Sequence, residues 1–212
     1  MTDSPKLLGW LAACHLEDEI AARLLSFARD LLRFNRTQNL ISRKNPVSQI
    51  NTMIWEAVAA SELLPSPAGR SLDLGSGAGF PGIPLAILCP TEPMDLLERR
   101  GGRCEFLRRE LLALQIPRSR VLEAEASELA ASGEFSASYS RVWLKAVAEP
   151  SQALSLAAPF LTPGGTAIIL RDFNWIYDNS LLDSWDRYER IGLPPEPSGS
   201  ARPAGALHLF HS

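Results

Sequence analysis

The period of the apolar positions changes twice along the chain. From about Leu7 to Phe34 the pattern predicts a helix, clearest at Leu24, Leu25, Ala28, Leu31 and Leu32. Asn35 to Asn45 is polar, and Pro46 closes that stretch. Helical spacing resumes between Ser48 and Leu64 through Ile50, Ile54, Ala57, Val58 and Ser61. Pro65-Ser66-Pro67-Ala68-Gly69 then reads as a turn. These residues predict an N-terminal helical cap over 1–68, followed by a second compact unit over 69–212.

In the second unit short apolar runs alternate with longer amphipathic ones. Strands are expected at Ser71–Leu74, Met94–Leu97, Val121–Ala124, Val142–Leu144 and Thr166–Leu170. Helices are expected from Ile83 to Leu88, Arg103 to Leu114 and Ser151 to Phe160, the last ended by Leu161-Thr162-Pro163-Gly164-Gly165. The tail is rich in Pro and Gly from Gly192 to Gly205 and finishes in a strand, Ala206 to Phe210. Strand–helix alternation implies an α/β fold with a doubly wound, mostly parallel sheet.

Composition narrows the class. The 212 residues suit one domain with an appended cap, and no apolar run approaches the roughly 18 residues of a membrane span. The first residues, Met1 to Lys6, lack the pattern of a signal peptide. Cys14, Cys89 and Cys104 have neither paired spacing nor nearby histidines, which argues against disulfides and a metal site. A cytoplasmic, metal-free monomer without a membrane partner is the expectation. The net charge of −3 advertises no global affinity for nucleic acid. The basic residues nevertheless cluster: Arg99, Arg100, Arg103, Arg108 and Arg109 form one group, and Arg33, Arg36, Arg43 and Lys44 another. Taken alone, each group is a solvated helix face.

The chemistry concentrates in Ser71–Gly82, "SLDLGSGAGFPG", where four glycines follow a strand that carries an acid. Glycine costs conformational entropy, so such a turn implies backbone that approaches a ligand closely. In a doubly wound sheet the ligand sits at the carboxyl ends of the strands, beside the first strand-to-helix turn. Gly77 to Gly82 matches the dinucleotide fingerprint G-x-G-x-x-G. The better fit is Asp73-x-Gly75-x-Gly77-x-Gly79, and Pro81 removes an amide that a pyrophosphate would use. An acid at the strand end suits a ligand bearing sulfonium and ammonium charges. S-adenosylmethionine is therefore expected on Asp73, Gly75, Ser76, Gly77, Gly79 and Phe80, with Glu98, about 20 residues on, accepting the ribose hydroxyls.

"LDLGSGAGFPGIPLAI" from Leu72 to Ile87 closely resembles the bacterial glucose-inhibited division protein B family, small-subunit ribosomal RNA guanine-N7 methyltransferases. Phe34-Asn35-Arg36 with Asn39-Leu40, Glu98 with Arg103-x-x-Phe106-Leu107, Lys145-Ala146-Val147-Ala148 and Leu161-Thr162-Pro163-Gly164-Gly165 resemble further family segments in chain order. The resemblance implies a class I S-adenosylmethionine-dependent methyltransferase with a Rossmann-like fold, active in rRNA processing on ribosomal RNA or the small ribosomal subunit. It also implies an adenine-side contact at Ala126 and Ser127, where the chain lacks the family's arginine. The family's arginine beside the cofactor falls on Lys145 or, in an ungapped register, on Arg141. Its Arg-His and Asp-Ser positions on the second cap helix read Thr52-Met53 and Glu56-Ala57 here, and its later "L-K-G" reads Leu170-Arg171-Asp172.

Guanine N7 carries a lone pair and no proton, so its methylation needs positioning rather than a general base. The lack of a Ser/His/Asp or Cys/His constellation is compatible with that chemistry, and His15, His208 and His211 lie far from the motifs. Arg99, Arg100 and Arg103, beside the mouth of the site, are candidates for RNA phosphates. Three other readings stay open at this level: a methyltransferase with a different substrate, a non-catalytic cofactor- or RNA-binding relative, and an NAD-dependent oxidoreductase.

Overall fold

The computed structural model describes residues 14–66, 69–146, 148–171, 185–197 and 205–212. The start of the first expected helix (7–13), the expected boundary between cap and second unit (67–68), half of the Pro/Gly-rich tail (198–204), Val147 and Asp172 lie outside these residues. The cap contributes helices α1 (Asp18–Gln38) and α2 (Pro46–Leu63). Then follow β1 (Ser71–Leu74), α3 (Gly82–Leu88), β2 (Met94–Glu98), α4 (Gly101–Ala113), β3 (Arg120–Glu123), α5 (Ala126–Ser132) and β4 (Tyr139–Leu144). Helix α6 (Pro150–Ala157) runs into a 3₁₀ turn (Ala158–Phe160), and β5 (Leu161–Arg171), β6 (Arg187–Gly192) and β7 (Ala206–His211) complete the chain.

The seven strands form one sheet in the order β3-β2-β1-β4-β5-β7-β6. β7 runs antiparallel to both its neighbours, and the other pairs are parallel. Order reverses between β2-β1 and β4-β5, which opens a crevice at the carboxyl end of β1, where doubly wound sheets bind ligands.

Three elements differ from the sequence expectation. β5 begins at Leu161, inside the expected Pro-Gly-Gly turn: Tyr139 pairs with Leu161 but Arg141 with Thr166, so Thr162–Gly165 form a bulge, with Gly164 at φ 76°. β6 is an edge strand of exposed and half-buried residues and lacks the apolar run that marks a central strand. α5 is one short helix of Ala, Ser, Glu and Leu with no buried face.

The sheet separates two apolar layers. On one face α1 and α2 share a single core with α3, α4 and the sheet residues Met94, Leu96, Trp143, Ile168 and Leu170. Phe27 of α1 meets Phe80 of the glycine turn at 5.2 Å between ring centroids, so the cap rests directly on the turn. The other face packs α6 and Phe160 against Leu72, Leu97, Val142, Leu144 and Phe210. At the amino end of β2, the fully buried Asp95 accepts hydrogen bonds from Arg70 (2.7 Å), Arg120 (3.0 and 3.1 Å) and the Tyr139 hydroxyl (2.8 Å). A buried carboxylate needs such partners to remain charged. This one ties β2, β3 and β4 together at the end of the sheet remote from the crevice.

Between α1 and α4 lies a carboxyl of the opposite kind. Glu110 is fully buried, and neither of its carboxyl oxygens has a hydrogen-bond partner among the described residues. Burial pushes its pKa up to about 7, with Asp30 adding to the rise and Arg109 and Arg33 opposing it. The folded protein therefore holds this proton more tightly than the unfolded chain, so its contribution to stability falls as pH rises from about 4 to about 7. Glu110→Gln removes that titration. In urea unfolding the variant should exceed the wild type by about 1–3 kcal/mol at pH 8 and by clearly less at pH 5. Parallel stability curves at the two pH values would show that Glu110 does not titrate in this range.

Candidate active site

β1 ends against β2 through the backbone. The amides of Gly75 and Ser76 both donate to the Leu97 carbonyl, at 2.8 and 2.9 Å. The chain then reverses through Gly75, Gly77 and Gly79, with φ of 76°, 56° and 93°. These values lie in the left-handed region that side chains with a Cβ rarely adopt. A Cβ on Gly79 would stand 2.7 Å from the Ile83 side chain, and one on Gly82 would strike Leu96 and lie 2.6 Å from Asp73 Oδ2. Gly79 and Gly82 therefore serve close packing of α3 on the sheet. Gly77 faces the other way, toward Arg103.

Glu98, the last residue of β2, shapes the turn. Its Oε2 accepts the Gly77 amide at 3.0 Å and its Oε1 accepts the Arg100 amide at 2.8 Å. The Arg103 guanidinium lies 3.8 Å from Oε2. A carboxylate offers about four lone-pair directions, so the two amide bonds leave acceptor capacity for a ligand.

Above Glu98 lies a cavity of about 380 Å³, walled by Gly75, Arg99, Arg100, Ala124, Ala126 and Leu156 among others. Ala146, also in the wall, is a non-glycine residue at φ 53°. Such a conformation persists only where surrounding structure enforces it, commonly at functional sites. Of the residues expected on the cofactor, Gly75, Glu98 and Ala126 line this cavity. Gly77 adjoins it through Glu98 and Arg103, and Ser127 is exposed on the first turn of α5. Ser76 is buried, with its hydroxyl on the Asp73 carbonyl. Phe80 is buried under the cap. A wider hollow of about 810 Å³ beside Leu111, Leu112, Ile116 and Val121 lies along the outer edge strand and includes no residue of the glycine turn.

Asp73 lies beneath the turn, 1% exposed, and its Oδ2 accepts the Gly82 amide at 3.1 Å. Its Oδ1 has no hydrogen-bond partner among the described residues. Burial raises its pKa to about 7; the Gly82 amide and Lys145 pull the other way. The aspartate thus holds the start of α3 from beneath the turn, and it is not among the residues that wall the cavity.

The three arginines expected at the mouth, Arg99, Arg100 and Arg103, all line the cavity, and two of them meet acids. Arg99 pairs with Glu125 at 3.0 Å and Arg103 with Glu98, so both brace the cavity wall. The two basic candidates left open by the sequence separate clearly. Arg141 stands opposite Ser71 near the amino end of β4, donates to the Pro65 carbonyl at 2.7 Å and lies over the Trp143 ring. Lys145 follows the carboxyl end of β4, on the crevice side. Its ammonium is 2.6 Å from Glu56 Oε2 on α2, a residue only 8% exposed. The sequence singled out Glu56 only as a departure from a family pattern. Its partner lies 89 positions away, beyond any local spacing rule.

Among the described residues, no group of three or more His, Cys, Asp or Glu is placed to hold a metal, and no helix is long and apolar enough to cross a membrane.

The family model for rRNA small subunit methyltransferase G (GidB) matches residues 20–175. The chain belongs to the GidB family. The ribosomal RNA small subunit methyltransferase G of Xanthomonas axonopodis pv. citri is 31% identical over 161 residues, covering 76% of this chain and 73% of that protein. The enzyme of the same name from Stenotrophomonas maltophilia is 29% identical over the same shares. Among solved structures, a methyltransferase from Geobacter sulfurreducens superposes with a TM-score of 0.57 at 12% identity, covering 88% of each chain. M. jannaschii TYW2 in complex with AdoMet superposes with a TM-score of 0.54 at 14% identity, covering 76% of this chain and 74% of that one. The fold is that of class I S-adenosylmethionine-dependent methyltransferases.

The residues by which this GidB chain departs on its second cap helix are now placed. Glu56 bonds Lys145, and one turn earlier the Thr52 hydroxyl donates to Glu196, so α2 clasps both the end of β4 and the segment after β6. Trp55 adds a bond from its indole to the Pro194 carbonyl at 2.9 Å. A double-mutant cycle with Glu56→Gln and Lys145→Met should give a coupling free energy of about 0.5–3 kcal/mol, the range for partners in direct contact. Additive single-variant effects would mean that the two charges do not hold the cap to the sheet.

Proposed function

We propose that the chain methylates N7 of a guanine in small-subunit (16S) ribosomal RNA with S-adenosylmethionine, acting as a cytoplasmic monomer. The observation that carries this reading is the Glu98–Gly77 clasp beside an open cavity at the carboxyl ends of β1 and β2, in a chain of the GidB family.

The site fits the cofactor in shape and charge. Glu98 offers its remaining acceptor capacity to the two ribose hydroxyls, and Ala124 and Ala126 form a small-residue wall for a flat adenine. Gly75 brings bare backbone to the ligand. The acid beneath the turn, Asp73, suits a cationic methionine group above it. When bound, the cofactor supplies a methyl group on a sulfonium, which departs as a neutral thioether. N7 attacks with its lone pair, so no residue takes a proton. The protein contributes in-line placement and exclusion of water. Lys145, fixed by Glu56, stands at the mouth and acts as a positioning cation for the guanine or an adjoining phosphate.

Glu98→Ala should weaken binding of S-adenosylhomocysteine by about 1–3 kcal/mol in calorimetry, the range for hydrogen bonds to a charged group. Unchanged affinity would move the ribose off Glu98. The substrate is tested by transfer of labelled methyl to small ribosomal subunits from cells lacking the modification, with the product nucleotide identified by mass spectrometry. The reading expects one labelled 7-methylguanine. No incorporation with cofactor demonstrably bound would transfer weight to another substrate, for which the altered positions Thr52, Met53, Glu56 and Ala57 would then be the structural reason.

A further inference from the structure

One member of the first arginine group of the sequence, Arg109, meets the second group on the cap. Residues 29–44 hold five cations, Arg29, Arg33, Arg36, Arg43 and Lys44, against one acid, Asp30. That is a net of +4 in a chain of net −3, so the remainder of the chain carries −7. All five are exposed. Arg109 of α4, also exposed, joins them: its guanidinium lies 4.6 Å from the centroid of the Phe34 ring, on which Arg33 lies at 5.1 Å. Phe34 is in turn seated on Phe106 of α4, at 5.4 Å.

The patch is built rather than loose. Asn39 and Asn45 take the left-handed conformation at the two ends of the turn between α1 and α2. The buried Asn35 side chain accepts the Ile41 amide at 2.9 Å. Arg43 donates to the Arg36 carbonyl at 3.2 Å, and the Gln49 side chain donates to the Lys44 carbonyl. These bonds hold Arg36, Arg43 and Lys44 close together in spite of the mutual repulsion of their charges. Asp30 neutralises Arg33 alone, at 2.6 Å. Among the described residues no acid pairs with Arg36, Arg43, Lys44 or Arg109.

We infer that this cap surface, Arg36, Arg43 and Lys44 with Arg33 and Arg109, is the docking face for the phosphate backbone of the RNA substrate. The inference rests on the proposed RNA-methylating function and assigns its binding surface. Charge complementarity selects the occupant: several cations held in a small area, surrounded by an otherwise acidic protein, match a regular row of phosphates. The position also fits. Arg103 at the cavity and Arg109 in the patch lie on the same helix, six residues or about 9 Å apart. The patch and the mouth of the site are thus joined by α4. Arg99 and Arg103 meet Glu125 and Glu98 and line the cavity with Arg100, at the end of the same path.

The test uses small ribosomal subunits from cells lacking the modification, with binding measured across a salt series. Arg36→Gln, Arg43→Gln and Lys44→Gln combined should lower the slope of log affinity against log salt by about 2–3, since each phosphate contact contributes a little under one. Affinity near 0.1 M salt should fall by at least about tenfold, with S-adenosylhomocysteine affinity and melting temperature retained. Arg109→Gln should reduce the slope by about 1. A triple variant with wild-type slope and affinity overturns the assignment while leaving the RNA-methylating function intact. If the wild type neither binds small subunits nor methylates them, the functional reading itself falls. Wild-type binding to phosphatidylserine vesicles that the triple variant loses, with binding to subunits unchanged, would make the patch a membrane-facing surface and equally overturn the proposal.

Discussion

The site depends on one carboxylate that works in two directions. Glu98 closes β2 and accepts the amides of Gly77 and Arg100. The first bond holds the glycine turn of β1 in its left-handed path, and the second starts α4. Neighbouring strands and the helix that follows are thus registered on a single side chain at the sheet's topological switch point. Hydrogen bonds to a charged acceptor are among the stronger ones available to a protein. The cavity above Glu98 is consequently formed by the fold itself, which reduces the ordering cost of binding a cofactor.

The cap is joined to this arrangement at three places of different chemistry. Phe27 rests on Phe80 of the turn, Glu56 grips Lys145 beyond β4, and Phe34 packs on Phe106 of α4. Apolar contact gives the cap its place, and the ion pair fixes the Lys145 ammonium just beyond the carboxyl end of β4. The same helices carry the basic patch on their outer side. A movement of the cap relative to the sheet would accordingly change the turn, Lys145 and the basic surface together. Glu110, buried between α1 and α4 without a hydrogen-bond partner among the described residues, shows that the interface tolerates a costly group there.

Much of this was readable from the residues. The central strands β1, β2 and β4 appear as short apolar runs because both of their faces are covered. The four glycines mark the turn because a left-handed backbone and close helix packing leave little alternative. What escaped was of two kinds. β6 and α5 bury too little to imprint a period, and the bulge in β5 places Pro163 and Gly164 within a strand where they ordinarily signal its end. Long-range pairs such as Glu56 with Lys145, or Arg109 with Phe34, have no spacing rule at all. They exist only once the topology brings α2 to β4 and α1 to α4. For the same reason sequence spacing, which offered Arg99, Arg100 and Arg103 to RNA, could not show that Arg99 also meets Glu125 and Arg103 meets Glu98 in the folded chain. Arg141 illustrates the converse: a shift of four residues along β4 moves a side chain from the crevice to the opposite end of the sheet.

The central claim is that the preformed Glu98–Gly77 clasp receives S-adenosylmethionine. A crystal structure of the complex with S-adenosylhomocysteine tests it most directly. The account predicts both ribose hydroxyls within hydrogen-bond distance of Glu98, the adenine against Ala126, and the Gly77 amide still on the carboxylate. A ligand seated elsewhere, such as in the hollow beside Leu111 and Val121, or a Glu98 side chain swung away from both turn and ribose, would contradict it.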